Sequence, residues 1–162
     1  MRVICISGTP CTGKTRLAKK LCKEFSYKHI DVKKLIKQHK LEEGYDKEKQ
    51  CGIIDVKKLN RVLVDEIERF KKENVKVLLI DSHLSHYLPK NYVDLCIITK
   101  CDLKILKKRL EKRGYNKAKV RENLDCEIFD VCLNEAKEQG HNILIVDTSK
   151  KVDMNSLKNM LI

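Results

Sequence analysis

The residues most able to do chemistry lie near the N-terminus. Gly8-Thr9-Pro10-Cys11-Thr12-Gly13-Lys14-Thr15 matches the pattern G-x-x-x-x-G-K-[ST] at every fixed position. Such a loop wraps a phosphate so that successive backbone N–H groups point inward. The helix after it adds its positive end. Gly13 lets the backbone approach closely. The donors expected at Cys11, Gly13, Lys14, Thr15 and Arg16 are backbone amides. The Lys14 ammonium is expected on the β- and γ-phosphates, and the Thr15 hydroxyl on Mg²⁺. The ligand class is therefore a nucleoside triphosphate with Mg²⁺. Cys11 sits in the same positive field, which favours a thiolate; bound phosphate or packing would keep it inert instead.

A second acidic position follows the apolar run Val75 to Ile80, which delivers Asp81 at its C-terminal edge. In this setting an Asp helps hold Mg²⁺, usually through water. His83, two residues on, could orient a water or a transferring group, although a lone His is more often structural. Arg109 and Arg113 are spaced i, i+4 just before Gly114, so they share a helix face. The planar, permanently charged guanidinium suits phosphate oxygens. The pair reads as a lid over a transferring phosphoryl group, or as a solvated basic face continuous with Lys107, Lys108 and Lys112. Thr99-Lys100-Cys101-Asp102 also fits the guanine-reading pattern [NT]-K-x-D of small GTPases. Against that, Asp81-Ser82-His83-Leu84 lacks the glycine that a GTPase places three residues after its Asp, and Asp102 could equally cap a helix.

The elements that must position these groups alternate in type. Strands are expected at Val3–Ser7, Lys28–Val32, Val75–Ile80, Leu95–Thr99 and Ile143–Val146. Helices are expected at Lys14–Glu24, Val32–His39, Leu59–Lys72, Leu103–Glu111, Val120–Lys137 and Met154–Ile162, with Glu42–Gly52 as a polar loop. Continuous apolar strands separated by helices mean a parallel sheet covered on both faces, a three-layer α/β domain. The expectation is one domain over residues 1–162 with an insert around 31–58.

Composition narrows the classes. Hydrophobic residues make up 42% of the 162, enough for a core. No apolar run approaches the ~20 residues of a membrane span, and the N-terminus runs straight into a strand and motif, so a cytoplasmic protein is expected. The eight cysteines are scattered without a CxxC pair, which favours reduced buried thiols. The net charge of +12 suits polyanions, nucleotides or RNA, or a solvated lysine-rich surface.

The chain resembles the adenylate kinase isoenzyme six family, a short-lid branch of the P-loop nucleoside-monophosphate kinases. The segments that carry the resemblance are the phosphate loop, Glu43-Gly44-Tyr45-Asp46, Asp81-Ser82-His83, Arg113-Gly114-Tyr115-Asn116 and Asn123-Leu124-Asp125-Cys126-Glu127-Ile128-Phe129. The resemblance implies transfer of phosphate from ATP to AMP, with Mg²⁺, on a five-stranded parallel sheet. It implies an AMP-binding insert near 31–54, a lid near 109–119, and Arg113 as the ATP-contacting lid arginine. It also implies ATP hydrolysis, binding of a small-subunit ribosomal protein, proximity to ribosomal RNA, and a role in small-subunit maturation; a monomer is expected. Two positions depart from the family: Cys11 stands where Gly is usual, and Arg16 where Thr is usual. The insert has no arginine for the AMP phosphate, and Lys33, Lys34 and Lys37 substitute for it by charge only.

Overall fold

In the computed structural model, which describes residues 1–161, the strands β1 (Arg2–Ser7), β2 (Lys28–Asp31), β5 (Val77–Asp81), β6 (Leu95–Lys100) and β7 (Ile143–Asp147) form one sheet. Its order is β2-β5-β1-β6-β7, and every pairing is parallel. The expected three-layer architecture is therefore the observed one. The central strand shows why. Val3 and Cys5 point to one apolar layer, Ile4 and Ile6 to the other, and both layers are sealed from water. Helix α3 (Val56–Lys72) supplies Leu59, Leu63 and Ile67 to the first layer, together with Leu133 and Ala136 of α6 (Val131–Glu138). Helices α1 (Lys14–Phe25) and α7 (Met154–Leu161) supply Leu17, Leu21 and Leu157 to the second.

This order places the C-terminal end of β1 between β5 and β6, where the chain's connections diverge to opposite sides of the sheet. That crevice is where open α/β sheets bind ligands. A third apolar cluster, Cys101, Leu106, Leu110 and Val120, lies under the lid and joins α4 (Leu103–Lys112) to α5 (Lys117–Ile128).

Two expectations need correction. Residues 42–52 are not a loop. Glu42–Asp46 (β3) and Cys51–Ile54 (β4) pair antiparallel as a hairpin that follows α2 (Val32–Gln38). The first arm, Glu-Glu-Gly-Tyr-Asp, has no β-branched residue, so pairing rather than propensity makes it a strand. The long helix expected over Val120–Lys137 is two helices, α5 and α6. Asp130 between them adopts φ 52°, and its carboxylate accepts a 2.6 Å bond from Lys100 Nζ. No Gly or Pro marks the break; a tertiary ion pair holds it.

All eight cysteines are free. Cys5 and Cys96 are register partners in the buried sheet; burial pushes both thiols up, Cys96 to about 12. They behave as small hydrophobes, as expected.

Candidate active site

The phosphate loop leaves β1 and enters α1. Gly8 has φ 137°, and a Cβ there would lie 2.6 Å from the Thr99 carbonyl oxygen, so only glycine fits. Gly13 caps α1 with φ 92° and supplies no capping side chain. The first bond beyond it runs from the Leu17 amide to the Gly13 carbonyl, which leaves the amides of Lys14, Thr15 and Arg16 without helical acceptors. These are the donors a phosphate needs. Cys11 also has positive φ, 68°, which explains why glycine suits that position.

Lys14 Nζ donates to the carbonyls of Gly8 at 2.7 Å and Thr9 at 2.8 Å. Loss of solvent around the ammonium pushes its pKa down to about 8; Arg113 acts in the same direction, and Cys132, Asp81 and Cys11 oppose it. An arriving phosphate would restore the charge.

Asp81 ends β5 beside β1, in register with Ile6, and is 6% exposed. Its carboxylate makes no hydrogen bond among the described residues; the His29 imidazole lies 3.8 Å away. The His29 Nε2 atom is buried without a hydrogen-bond partner. The Thr15 hydroxyl is exposed and also uncommitted. A free hydroxyl and an under-satisfied buried carboxylate at one crevice fit a Mg²⁺ that keeps its waters and leans on phosphate oxygens. No cluster of three or more His, Cys, Asp or Glu residues among those described could cage a metal unaided.

His83 is exposed beside the phosphate loop, with protein atoms displacing part of its solvent. That partial desolvation, with Lys14, His86, Lys119 and Arg113 adding positive charge, pushes its imidazole down to about 4. It is neutral at pH 7 and makes no hydrogen bond to the protein, so it can serve a ligand.

The two lid arginines differ. Arg113 ends α4, is exposed, and places Nη1 3.6 Å from Cys11 Sγ while its guanidinium lies over the Tyr115 ring. Arg109, one turn earlier, is committed to the protein: it donates to the Cys11 carbonyl at 3.4 Å, the Thr148 carbonyl at 3.2 Å and Cys101 Sγ at 3.4 Å. It braces the loop from behind, whereas Arg113 is exposed and rests against the Cys11 sulfur and the Tyr115 ring. Asn116 caps α5 by accepting from the Lys119 amide at 2.7 Å, and its own amide donates to Gln50 at the hairpin tip, at 3.1 Å. Lid and hairpin therefore meet across the cleft.

The side chains of the guanine-reading look-alike are spent elsewhere. Asp102 caps α4, accepting from the amides of Lys104 and Ile105, and Lys100 reaches Glu127 and Asp130. Lys33, Lys34 and Lys37 are exposed on α2, and no contact ties them to the phosphate loop.

Sequence reasoning missed several residues around the loop. Glu127, 5% exposed, accepts from the Thr9 hydroxyl at 2.7 Å and from the Cys101 amide at 2.9 Å. Buried His86 bonds Ser7 Oγ at 2.7 Å and Glu135 at 3.0 Å. A signal for Glu127 existed: Val120, Asn123 and Glu127 lie on one face of α5, so an acid occupies a core position.

Comparisons with known proteins agree with this geometry. A family described as AAA domain matches residues 4–130. The adenylate kinase isoenzyme 6 homolog of Dictyostelium discoideum is 40% identical over 144 residues, covering 89% of this chain and 79% of its own. The chain belongs to the adenylate kinase isoenzyme 6 family. Another relative, provisionally named an adenylate kinase, from Methanocaldococcus jannaschii, is 41% identical over 140 residues, covering 86% of this chain and 75% of its own. The solved deoxyadenosine kinase of M. mycoides with bound dATP superposes with a TM-score of 0.56 at 16% identity, covering 99% of both chains, which is a likeness of fold. As an adenylate kinase relative, this family member is of the kinase class, and its P-loop, Asp81, His83 and lid converge on one crevice. Among the described residues, no helix is long and apolar enough to cross a membrane.

Proposed function

We propose that the protein is an adenylate kinase that moves the γ-phosphate of Mg-ATP to AMP. The observation that carries the reading is convergence: Lys14, Asp81, His83 and Arg113 surround one phosphate loop, and the hairpin tip at Gln50 closes toward the lid at Asn116. A loop for one nucleotide faced by a separate hairpin is what a two-nucleotide reaction requires.

The chain's own groups divide the work. The amides of Lys14, Thr15 and Arg16 hold the β-phosphate, and Lys14 bridges toward the γ-phosphate. Thr15 and Asp81 would hold Mg²⁺, which supplies charge neutralisation on the phosphates. Arg113 swings from Cys11 onto the transferring group, where a preorganised charge counts most. Arg109 keeps the loop and the Thr148 turn in place. Neutral His83 accepts or donates a hydrogen bond at the acceptor or at a water. Residues 31–54 form the AMP side. A lid this short shields the site incompletely, so slow ATP hydrolysis accompanies transfer. A role in small ribosomal subunit maturation, through a small-subunit ribosomal protein, rests on family resemblance and the +12 charge.

Chromatography of reaction products tests the reading. Mg-ATP plus AMP is expected to give ADP without matching free phosphate, and Mg-ATP alone a slower phosphate release. If AMP stays unconverted while ATP is hydrolysed, the protein is an ATPase on a kinase scaffold. Faster hydrolysis of GTP than ATP, with AMP untouched, would restore the GTPase reading that the Asp102 cap argues against.

A further inference from the structure

Glu127 is an unusual residue for its place. It is a carboxylate buried to 5% exposure on the helix face it shares with Val120 and Asn123, and such a group persists only when its oxygens are satisfied. Oε1 accepts from the Cys101 amide at 2.9 Å and lies 3.1 Å from Lys100 Nζ. Those contacts explain why the charge is tolerated and how α5 is fixed to the end of β6. Oε2 does something different: it accepts from the Thr9 hydroxyl at 2.7 Å. Thr9 is a variable position of the loop pattern, yet it is buried and its carbonyl accepts from both Lys14 Nζ at 2.8 Å and Thr12 Oγ1 at 2.7 Å. The chain of bonds runs from Glu127 through Thr9 to the lysine that meets phosphate.

The other flank of the loop is held from α4, by Arg109 on the Cys11 carbonyl and Arg113 on the Cys11 sulfur. The lid turn, residues 113–116, connects α4 directly to α5. One continuous unit therefore grips the loop at Cys11 from its first helix and at Thr9 from its second. Arg113 must leave Cys11 to reach a nucleotide. The grip at Thr9 is buried and has no such second task.

We infer that Glu127 is a positioning residue for the phosphate loop. Through the Thr9 hydroxyl it sets the carbonyls that aim Lys14, and thereby sets affinity for the triphosphate. The inference rests on the reading of the loop as the triphosphate site, so its test reads binding of Mg-ATP directly and leaves phosphoryl transfer aside.

Titration calorimetry with Mg-ATP on the full chain would compare Thr9→Val, Glu127→Gln, their combination and Thr9→Ser. Valine keeps the volume of Thr9 and loses only the hydroxyl; glutamine still accepts from the Cys101 amide. Each single change is expected to weaken binding about tenfold, the scale for a buried hydrogen bond to a charged group. The double variant is expected to be no weaker than the worse single, because both changes remove the same charge-assisted bond, for which the glutamine NH2 offers the Thr9 hydroxyl only a neutral contact of reversed direction. Thr9→Ser is expected to bind within about twofold of the parent. A purely structural Glu127 would behave otherwise: Thr9→Val would bind normally, or the losses would multiply in the double variant, and either result overturns the inference. If Glu127→Gln does not fold, the contrast between Thr9→Val and Thr9→Ser still decides. A parent protein that does not bind Mg-ATP at all would defeat the functional reading as well, and is distinguishable from variants that match a binding parent.

Discussion

The two halves of the cleft are built to different standards. On the phosphate side, the frame of the loop is tied from several directions, Thr9 by Glu127, Cys11 by both lid arginines, and the Thr12 hydroxyl to the Thr9 carbonyl and Thr99 Oγ1, while the amides that face the phosphate stay open. The hairpin side is sparse. Tyr45 is 59% and Ile53 52% exposed, and the Lys58–Glu43 ion pair that ties it to α3 lies in solvent. Exposed pairs of this kind contribute little, up to about 1 kcal/mol. On the proposed function, the contrast means a preorganised triphosphate site and an acceptor site that its ligand would have to complete.

The largest effect expected from this contrast falls on the lid. Arg113→Ala should lower turnover about 10²-fold, the scale for one preorganised charged donor, while ATP binding weakens much less. Steady-state kinetics with separate ATP titration measures both. Near-normal turnover would return Arg113 to a solvated surface role and remove the lid from the phosphate side.

Next in size is a dependence on pH. Only protonated Lys14 attracts phosphate, and its pKa is lowered to about 8. The charged form therefore dominates at pH 7 and declines as pH rises through 8. Mg-ATP affinity should be flat below that point and fall by up to about tenfold per pH unit above it, until the ligand-bound pKa is reached. His83, already neutral above about 4, adds no step between pH 6 and 9. An affinity unchanged between pH 7 and 9.5 would show that the lysine is not the titrating partner.

A third change bears on the sparse side alone. Tyr45→Ala with Ile53→Ala removes exposed apolar surface from the hairpin. We expect KM for AMP to rise several-fold, roughly the worth of burying one such side chain, with ATP affinity unaltered. Equal losses for both nucleotides would mean that the halves are not independent, and the comparison would break.

The smallest effect concerns Cys11 and the cost of the loop itself. A non-glycine residue at φ 68° is strained by about 1–2 kcal/mol, and glycine returns part of that in unfolded-state entropy. Cys11→Gly should raise stability by no more than about 1 kcal/mol, a shift in Tm of about 2–4 °C. A lower Tm would show that packing of the thiol under the lid outweighs the backbone strain.

How much of this the chain displayed before folding depended on the range of the interactions. The sheet was legible because Val3–Ile6, Val77–Ile80 and Leu95–Ile98 have both faces covered and read as unbroken apolar runs. The phosphate loop was legible because its chemistry is local. The hairpin was not, since Glu42–Asp46 becomes a strand only by meeting Cys51–Ile54. The break at Asp130 was not, since Lys100 lies 30 residues away. For Arg109 the spacing shows a face shared with Arg113 and leaves lid and solvated surface both open; the contacts of that face with the Cys11 and Thr148 carbonyls are visible only in three dimensions.

The hydrogen bond between the Asn116 amide and Gln50 has a consequence for traffic through the cleft. It joins lid to hairpin, and Asn116 is exposed while Gln50 is half-buried. A bond in water has a net worth of about 0.5–1.5 kcal/mol, so at equilibrium the two tips stand apart roughly 7–30% of the time. Such a latch is weak enough that it would retard neither entry nor departure of a nucleotide by more than about an order of magnitude. The residence time of a product is then governed by the phosphate loop that grips it, not by the gate above.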